Sequence, residues 1–305
     1  MGKLVEVYLL SGFLGSGKTT LLKHLLKEEQ KQGRFPAVLM NELGEVSIDS
    51  NAIDDRTPLK ELMGGCVCCT LSDQVEAQIA DLLRTYPIDA IYIETTGAAH
   101  PVETLDAVMS PLYAGQLQFK GIITVIDVLR WKERSQLSPQ VLQLYREQIA
   151  HADLLIVNKI DLVSEFELST FVYEIQQVNS HATCVFTQHA NISINQLKKL
   201  KRVQQGHHET THHHHLHLQS VVYEFSKPIE QIQFEEWIRS LPSTVYRMKG
   251  YVAFTHSSYP FLFQYSYGMP VYMPEYMKMP LTLVIIGEEL DEERLYSQLK
   301  KLEQS

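Results

Sequence analysis

Cysteine is scarce in this 305-residue chain: there are four, and three of them crowd together as Cys66, Cys68 and Cys69. A disulfide framework spaces its cysteines along the chain, so the clustering excludes one. With nothing at the N-terminus that reads as a signal peptide, it points to a reducing, cytoplasmic setting. Long hydrophobic runs are missing too, and none reaches the roughly eighteen residues needed to span a bilayer. Positive charge is short: 27 Lys and Arg face 36 Asp and Glu, for a formal net charge of -9. That balance argues against nucleic acid or an anionic membrane surface as the main partner. The start, MGKLVE, lacks the Ser or Thr that N-myristoylation requires at its sixth position. No internal repeat is found. What is present, 45% hydrophobic residues in 35.0 kDa, is enough to bury a good core in one large or two modest domains.

The most informative stretch is GFLGSGKT, Gly12 to Thr19. Val5 to Leu10 before it has the length and β-branched content of a buried strand, and Lys18 to Gln30 after it spaces Leu22, Leu25 and Leu26 as a helix does. Strand, glycine loop and helix is the context a phosphate-gripping loop requires. Gly12, Gly15 and Gly17 let the backbone turn successive N–H groups toward one anion, which the helix N-terminus also favours. Ser16 and Thr20 complete the stretch, Lys18 is placed to reach the β- and γ-phosphates, and the Thr19 hydroxyl is a magnesium ligand. A phosphate grip does not choose a base. Leu154 to Val157 is another strand-like run, and it ends in Asn158, Lys159, Ile160 and Asp161, matching the NKxD pattern of GTP-binding proteins. An Asp161 carboxylate accepts from the N1–H and the exocyclic amine of guanine, whereas adenine would leave it facing an acceptor. Lys159 can lay its stem across the base, and Asn158 can tie the walls of the pocket together. A small-molecule kinase built on the same loop would prefer ATP, which Asp161 contradicts.

Between these motifs, the strand-like DAIYI is followed by Glu94, Thr95, Thr96 and Gly97. A carboxylate at a strand tip beside the phosphate loop can hold magnesium, and the Gly97 N–H can meet the γ-phosphate. Ala98 follows, where Ras-like switches place a water-orienting Gln. Slow intrinsic hydrolysis is therefore expected unless Glu42, Glu45 or a partner supplies the missing group.

Thiolates are soft ligands that suit zinc or monovalent copper, and Gly64 and Gly65 give the backbone room to converge them. Cys66 and Cys68 face one way in an extended segment and Cys69 the other, so a turn is needed to gather all three. A tetrahedral zinc is then still short of a ligand, which Glu42, Glu45 or a His fills, or which stays open for exchange. A redox dithiol and buried structural thiols are the other readings. Cys184, inside the strand-like TCVF, reads as core. Seven of the 13 histidines lie at His207, His208, His212, His213, His214, His215 and His217. So polar a stretch buries no core, and it is either a loop that collects zinc, cobalt, nickel or copper weakly or a solvated linker of biased composition.

GFLGSGKTT, NELGEVSID from Asn41 to Asp49, GGCVCCT from Gly64 to Thr70, ETTG at Glu94 and NKID at Asn158 together resemble the CobW-type P-loop GTPases, relatives of the urease and hydrogenase metal-insertion GTPases. The resemblance implies a GTP-dependent metallochaperone that binds zinc, with cobalt an option, and passes it to a client metalloprotein. It makes Cys66, Cys68 and Cys69 metal-site residues, Glu42 a neighbouring carboxylate and Thr19 a magnesium ligand. Ala98, Ala99 and His100 depart from the pattern of many relatives ahead of Pro101. A different class of protein, a zinc buffer with a His-rich store and a weak regulatory GTPase, predicts many weak sites and no nucleotide effect.

Strands and helices alternate through the first two-thirds, the helices including Leu71 to Leu83 and Glu165 to Val178, the latter opened by a Ser164 and Glu167 capping box. This predicts an α/β P-loop NTPase domain over residues 1–205, its mostly parallel sheet covered by helices on both faces, with every motif at a strand's carboxyl end. The His-rich linker spans 206–219. Residues 220–305, beginning near KPIEQIQFEEWIRSLPSTVYRMKGYVAF, resemble the family's smaller C-terminal domain and pattern as an α+β, ferredoxin-like unit. Its Arg247 and Lys249 read as solvated charges or an edge facing a substrate, and the Met-rich stretch Phe261 to Met279 as core plus loop or a client-docking surface. A monomer or homodimer is expected.

Overall fold

The computed structural model describes residues 3–41, 57–62, 71–95, 101–198, 218–266 and 268–304. The chain divides into two compact units, one of residues 4–104 and 118–216, the other of residues 1–3, 105–117 and 217–305. Among the described residues no helix is long and apolar enough to cross a membrane.

The first unit is a parallel sheet of β1 (Val5–Ser11), β2 (Pro36–Asn41), β3 (Leu59–Leu62), β4 (Ala90–Glu94), β5 (Leu117–Asp127), β6 (Leu154–Asn158) and β7 (Thr183–Thr187), in the order β3-β2-β4-β1-β5-β6-β7. Six of these coincide with the strand-like runs that the sequence shows at Val5, Ala37, Ala90, Ile122, Leu154 and Thr183. The seventh, β3, is the outer edge; its LKEL carries two charges, so it lacks the apolar signature that buried strands show. Edge strands tolerate such residues, and Lys60 reaches Asp81 at 2.9 Å.

The connecting helices are α1 (Lys18–Lys31), α2 (Leu71–Thr85), α3 (Pro101–Val108), α4 (Val128–Lys132), α5 (Pro139–Ala150), α6 (Glu165–Val178) and α7 (Ile194–Lys198). Helix α6 opens with the predicted capping box: Ser164 N–H donates to the Glu167 carboxylate at 2.9 Å, and Glu167 N–H returns to Ser164 Oγ at 3.4 Å. Lys132 binds the same carboxylate, and these contacts hold Glu167 at a pKa of about 2. Because β6 is buried on both faces, its successive side chains enter different cores. Leu154 and Ile156 pack with Leu21, Leu22 and Leu25 of α1 on one side, while Leu155 and Val157 meet Trp131, Tyr145 and Phe171 of α4, α5 and α6 on the other.

Parallel register brings the site's loops to one end. Leu10, Glu94, Met40 and Glu61 share a single rung across β1, β4, β2 and β3, and Asp127, Asn158 and Thr187 share another across β5, β6 and β7. At about 4.8 Å per strand, the ends of β3 and β1 lie roughly 14 Å apart. The segments containing Glu42 and Cys66 follow directly on β2 and β3.

The face of the sheet under α1 holds a buried acid. Glu29 is 1% exposed, lies 2.7 Å from Arg34 Nε, and accepts from Tyr92 OH at 2.7 Å. Arg34 also binds Glu6, and burial, with the Glu6 charge beside Tyr8 and the Glu29 charge beside Tyr92, pushes both tyrosines far above their ordinary pKa. Removing one member of such a group strands the others' charge. Glu29→Ala is expected to cost about 3–5 kcal/mol, read as a lower denaturant midpoint with an unchanged m-value. A loss below about 1 kcal/mol would show that the network is not a stability element.

The second unit carries β8 (Leu218–Glu224), α8 (Gln231–Arg239), β9 (Val245–Val252), β10 (Phe261–Ser266), β11 (Met269–Pro274), β12 (Thr282–Glu288) and α9 (Glu292–Gln304), in an antiparallel sheet ordered β11-β10-β9-β12-β8. Strand β12 lies between β8 and β9, and α8 connects those two, which is the split β-α-β arrangement of ferredoxin-like units. The hairpin of β10 and β11 extends the sheet on the far side of β9. Helices α8 and α9 cover a core of Phe234, Trp237, Phe254, Phe263, Leu283 and Leu299. The Met-rich stretch Phe261 to Met279 therefore contains both strands of the β10 and β11 hairpin as well as a loop. Tyr272 of β11 packs on Phe263 with ring centroids 5.1 Å apart, while Met269, Val271 and Met273 are exposed. Arg247 and Lys249 lie on β9 opposite Ser266 and Gln264.

Candidate nucleotide-binding site

Strand β1 ends in a loop that only glycine can follow. Gly12, Gly15 and Gly17 have φ of 128°, 77° and 112°. At Gly12 an added Cβ would sit 2.3 Å from the Val125 carbonyl of β5, and at Gly17 it would sit 2.5 Å from the Asn158 amide. Gly17 is also the N-cap of α1, and no side chain caps that terminus, nor is any residue of its first turn acidic. The helix thus presents backbone N–H groups and its positive dipole end to an incoming anion.

Lys18 folds across the mouth of this loop. Its Nζ donates to Gly12 O at 2.7 Å and to Phe13 O at 3.1 Å, and burial lowers its pKa. Thr19 Oγ1 donates to Glu94 Oε1 at 3.1 Å. Burial raises the Glu94 pKa against the opposing pull of Lys18 and Thr19, and Glu94 Oε2 is buried with no hydrogen-bond partner. Ser16 is buried with its hydroxyl similarly unmatched, and Thr20 is exposed on the first turn of α1. Thr95 closes the rung behind Glu94 by donating from Oγ1 to Leu10 O at 3.1 Å.

The NKID segment leaves β6 on the neighbouring wing. Asn158 is 3% exposed and bridges two loops: its Nδ2 donates to Ser16 O at 2.8 Å, and its Oδ1 accepts from Ala190 N at 2.9 Å. Lys159 takes a left-handed φ of 64° and its Nζ lies 2.5 Å from Asp127 Oδ2. Asp161 is exposed in the short 3-10 turn Ile160–Leu162. Lys18, Thr19, Glu94 and Asn158 are thus joined to one loop system, with Lys159 and Asp161 at its rim.

Sequence reasoning missed two parts of this system. Asp127, at the end of β5, caps α4 through Leu129 N at 3.0 Å while it holds Lys159. The loop 188–191 after β7 is pinned by Asn158, and its His189 and Ala190 both have positive φ, 56° and 51°. The available signal was positional, since TCVF was read as a strand and its loop leaves the same sheet end as the others. Cys184 lies on β7, half-buried, with burial raising its thiol pKa, as a packing residue would have it. Gly97, Glu42, Glu45, Cys66, Cys68, Cys69 and the histidines from His207 to His217 lie outside the described residues. Among the described residues no three His, Cys, Asp or Glu side chains are grouped to hold a metal.

Residues 6–186 match the family model described as the CobW/HypB/UreG nucleotide-binding domain, and residues 218–303 match the cobalamin synthesis protein cobW C-terminal domain. The chain is 30% identical to zinc chaperone YeiR of Escherichia coli (strain K12), over 79% of this chain and 71% of that protein. It is 32% identical to zinc chaperone YjiA of the same organism, over 62% of this chain and 59% of that protein. The crystal structure of Zn(II)-bound YjiA GTPase from E. coli superimposes with a TM-score of 0.52 at 22% identity, covering 99% of both chains, and so shares the fold. The glycine loop, the strand-end carboxylate and the NKID turn sit within the matched segment, and the chain belongs to the CobW/HypB/UreG family.

Proposed function

We propose that this protein is a GTP-dependent metallochaperone: it hydrolyses GTP to GDP and phosphate, and nucleotide state governs how tightly Cys66, Cys68 and Cys69 hold zinc or another divalent transition metal destined for a client metalloprotein. The observation that carries the reading is the junction at Asn158, which binds the phosphate loop through Ser16 and the base-side loop through Ala190. The names of the relatives YeiR and YjiA support zinc as cargo.

On nucleotide binding, Lys18 exchanges the carbonyls of Gly12 and Phe13 for phosphate oxygens, and the uncapped N–H groups of α1 face the same anion. Asp161 accepts the two guanine donors. The Thr19 hydroxyl and the unpartnered Glu94 Oε2 are hard oxygen ligands that fit magnesium and would hold it there. That ion, when bound, neutralises charge on the phosphate oxygens. Ala98 offers no group to orient water, which supports slow turnover. Glu94 stands on the rung of Met40 and Glu61, so an altered Glu94 environment bears on the strands that lead into the Glu42 and Cys66 segments.

Zinc titrated against a competing chelator should bind with affinities that differ about 5–150-fold between GDP and a non-hydrolysable GTP analogue. Equal affinities would remove the switch, and equal affinities with several weak sites would mark a buffer instead. Turnover should require GTP rather than ATP.

Glu94→Gln separates stability from chemistry. A buried carboxylate with a raised pKa keeps its proton in the folded state above the ordinary value of 4.5, so its ionisation costs stability as pH rises through the folded pKa. The nucleotide-free Gln variant should therefore melt higher than wild type at neutral pH. The gap should close as pH falls toward 4.5, and magnesium-supported GTP hydrolysis should be lost. A variant that melts lower at neutral pH, or keeps its turnover, contradicts this role.

A further inference from the structure

We infer that His24 is a positioning residue for guanine recognition, acting from the helix that follows the phosphate loop on the loop that walls the base pocket. The inference rests on the guanine reading above.

The loop 188–191 leaves β7 beside the NKID turn, because Thr187 stands opposite Asn158 in the register. Its geometry is costly, since Ala190, a non-glycine residue, is held at φ 51° and His189 at 56°. Left-handed backbone at such residues persists only where its surroundings fix it. Ala190 is 0% exposed and is gripped at both ends of its backbone. Its N–H donates to Asn158 Oδ1 at 2.9 Å, and its carbonyl meets His24 Nδ1 at 3.2 Å. A carbonyl only accepts, so Nδ1 carries the hydrogen and His24 is the donor. Thr187 Oγ1 faces the carbonyls of Gln188 at 3.1 Å and Asn191 at 3.0 Å, closing the loop on itself.

Asn158 is a member of the base-reading motif, but His24 is not. It lies on α1 between Leu22 and Leu25, which face the core, and its own ring is only partly buried. Its contact is 166 residues distant in sequence. Beside it opens a groove of about 470 Å³ whose lining includes Phe186, Asn191 and Gln196, so the loop borders open space at Asn191. Removing the His24 hydrogen bond should therefore loosen Ala190 and, through it, the placement of Asn158 against the base.

Titration calorimetry on the full chain with GDP, ADP and pyrophosphate tests this. His24→Phe keeps a ring but has no donor, and is expected to weaken GDP binding about 3–10-fold, the worth of one neutral hydrogen bond. Pyrophosphate, which uses only the phosphate loop, should bind as in wild type. His24→Asn, whose amide can donate from a similar position, should restore most of the GDP affinity. Unchanged GDP binding by His24→Phe would overturn the inference, as would an equal loss for GDP and pyrophosphate, which would mark a role in holding α1. Wild-type protein that binds GDP and ADP alike would overturn the guanine reading itself, and this inference with it.

Discussion

Lys18→Ala should lower GTP affinity by about 100-fold while leaving the nucleotide-free protein folded. In the free state the ammonium is held by the Gly12 and Phe13 carbonyls, in a place that burial makes costly for a cation, as its lowered pKa shows. The Gly12 contact is buried and the Phe13 contact part-buried, and water entering the space the side chain vacates can take over both carbonyls, so truncation is expected to strand neither in the apo protein. With nucleotide present the same ammonium is expected to make charge-assisted bonds to phosphate, worth roughly 1.5–3 kcal/mol each, and two of them, less the two carbonyl bonds given up, account for the expected factor. Calorimetry gives the affinity and a thermal melt gives the fold. Affinity within threefold of wild type would mean that Lys18 does not reach the phosphates, and a large fall in melting temperature would mean that its carbonyl contacts are structural.

Asp161→Asn should change which base is accepted. The carboxylate is an acceptor at both oxygens and matches the N1–H and 2-amino donors of guanine. An amide turns one oxygen into a donor that opposes the 2-amino group, so two charge-assisted bonds are lost and GTP should weaken by about two to three orders of magnitude. Xanthine carries a carbonyl at that position, and the same amide can donate to it. XTP should therefore bind the variant better than GTP does, in a competition against a fluorescent nucleotide. A variant that weakens GTP without gaining XTP would mean that Asp161, exposed in its 3-10 turn, does not contact the base edge.

Much of the nucleotide-binding framework could be read from the chain because its signals are local. GFLGSGKT requires positive φ at glycines, NKID follows an unbroken apolar run, and the Ser164 and Glu167 box lies within one helical turn. What escaped depends on partners far away in sequence. Glu29 patterns as one more charge on a helix, yet Arg34 and Tyr92 converge on it and bury it. The tying role of Asn158 is expected from its motif, but nothing near it says that its partners are Ser16, 142 residues earlier, and the loop after β7. The strand β3 carries charge where it borders solvent, so period and hydropathy both understate it. The cysteine triplet and the histidine run, which carry the cargo side of the proposal, are legible only as chemistry.

The order of the sheet has an evolutionary corollary. Strands β2 and β3 lead into the acidic and sulfur-bearing segments on one wing, β5, β6 and β7 carry the base-side turns on the other, and β1 with β4 stands between them. On the reading proposed above, fuel and freight would be written on opposite halves of one board. Grafting residues 36–70 from a relative with a different metal preference should carry that preference across while the recipient goes on choosing guanine, so a lineage can diversify its cargo without relearning its energy source.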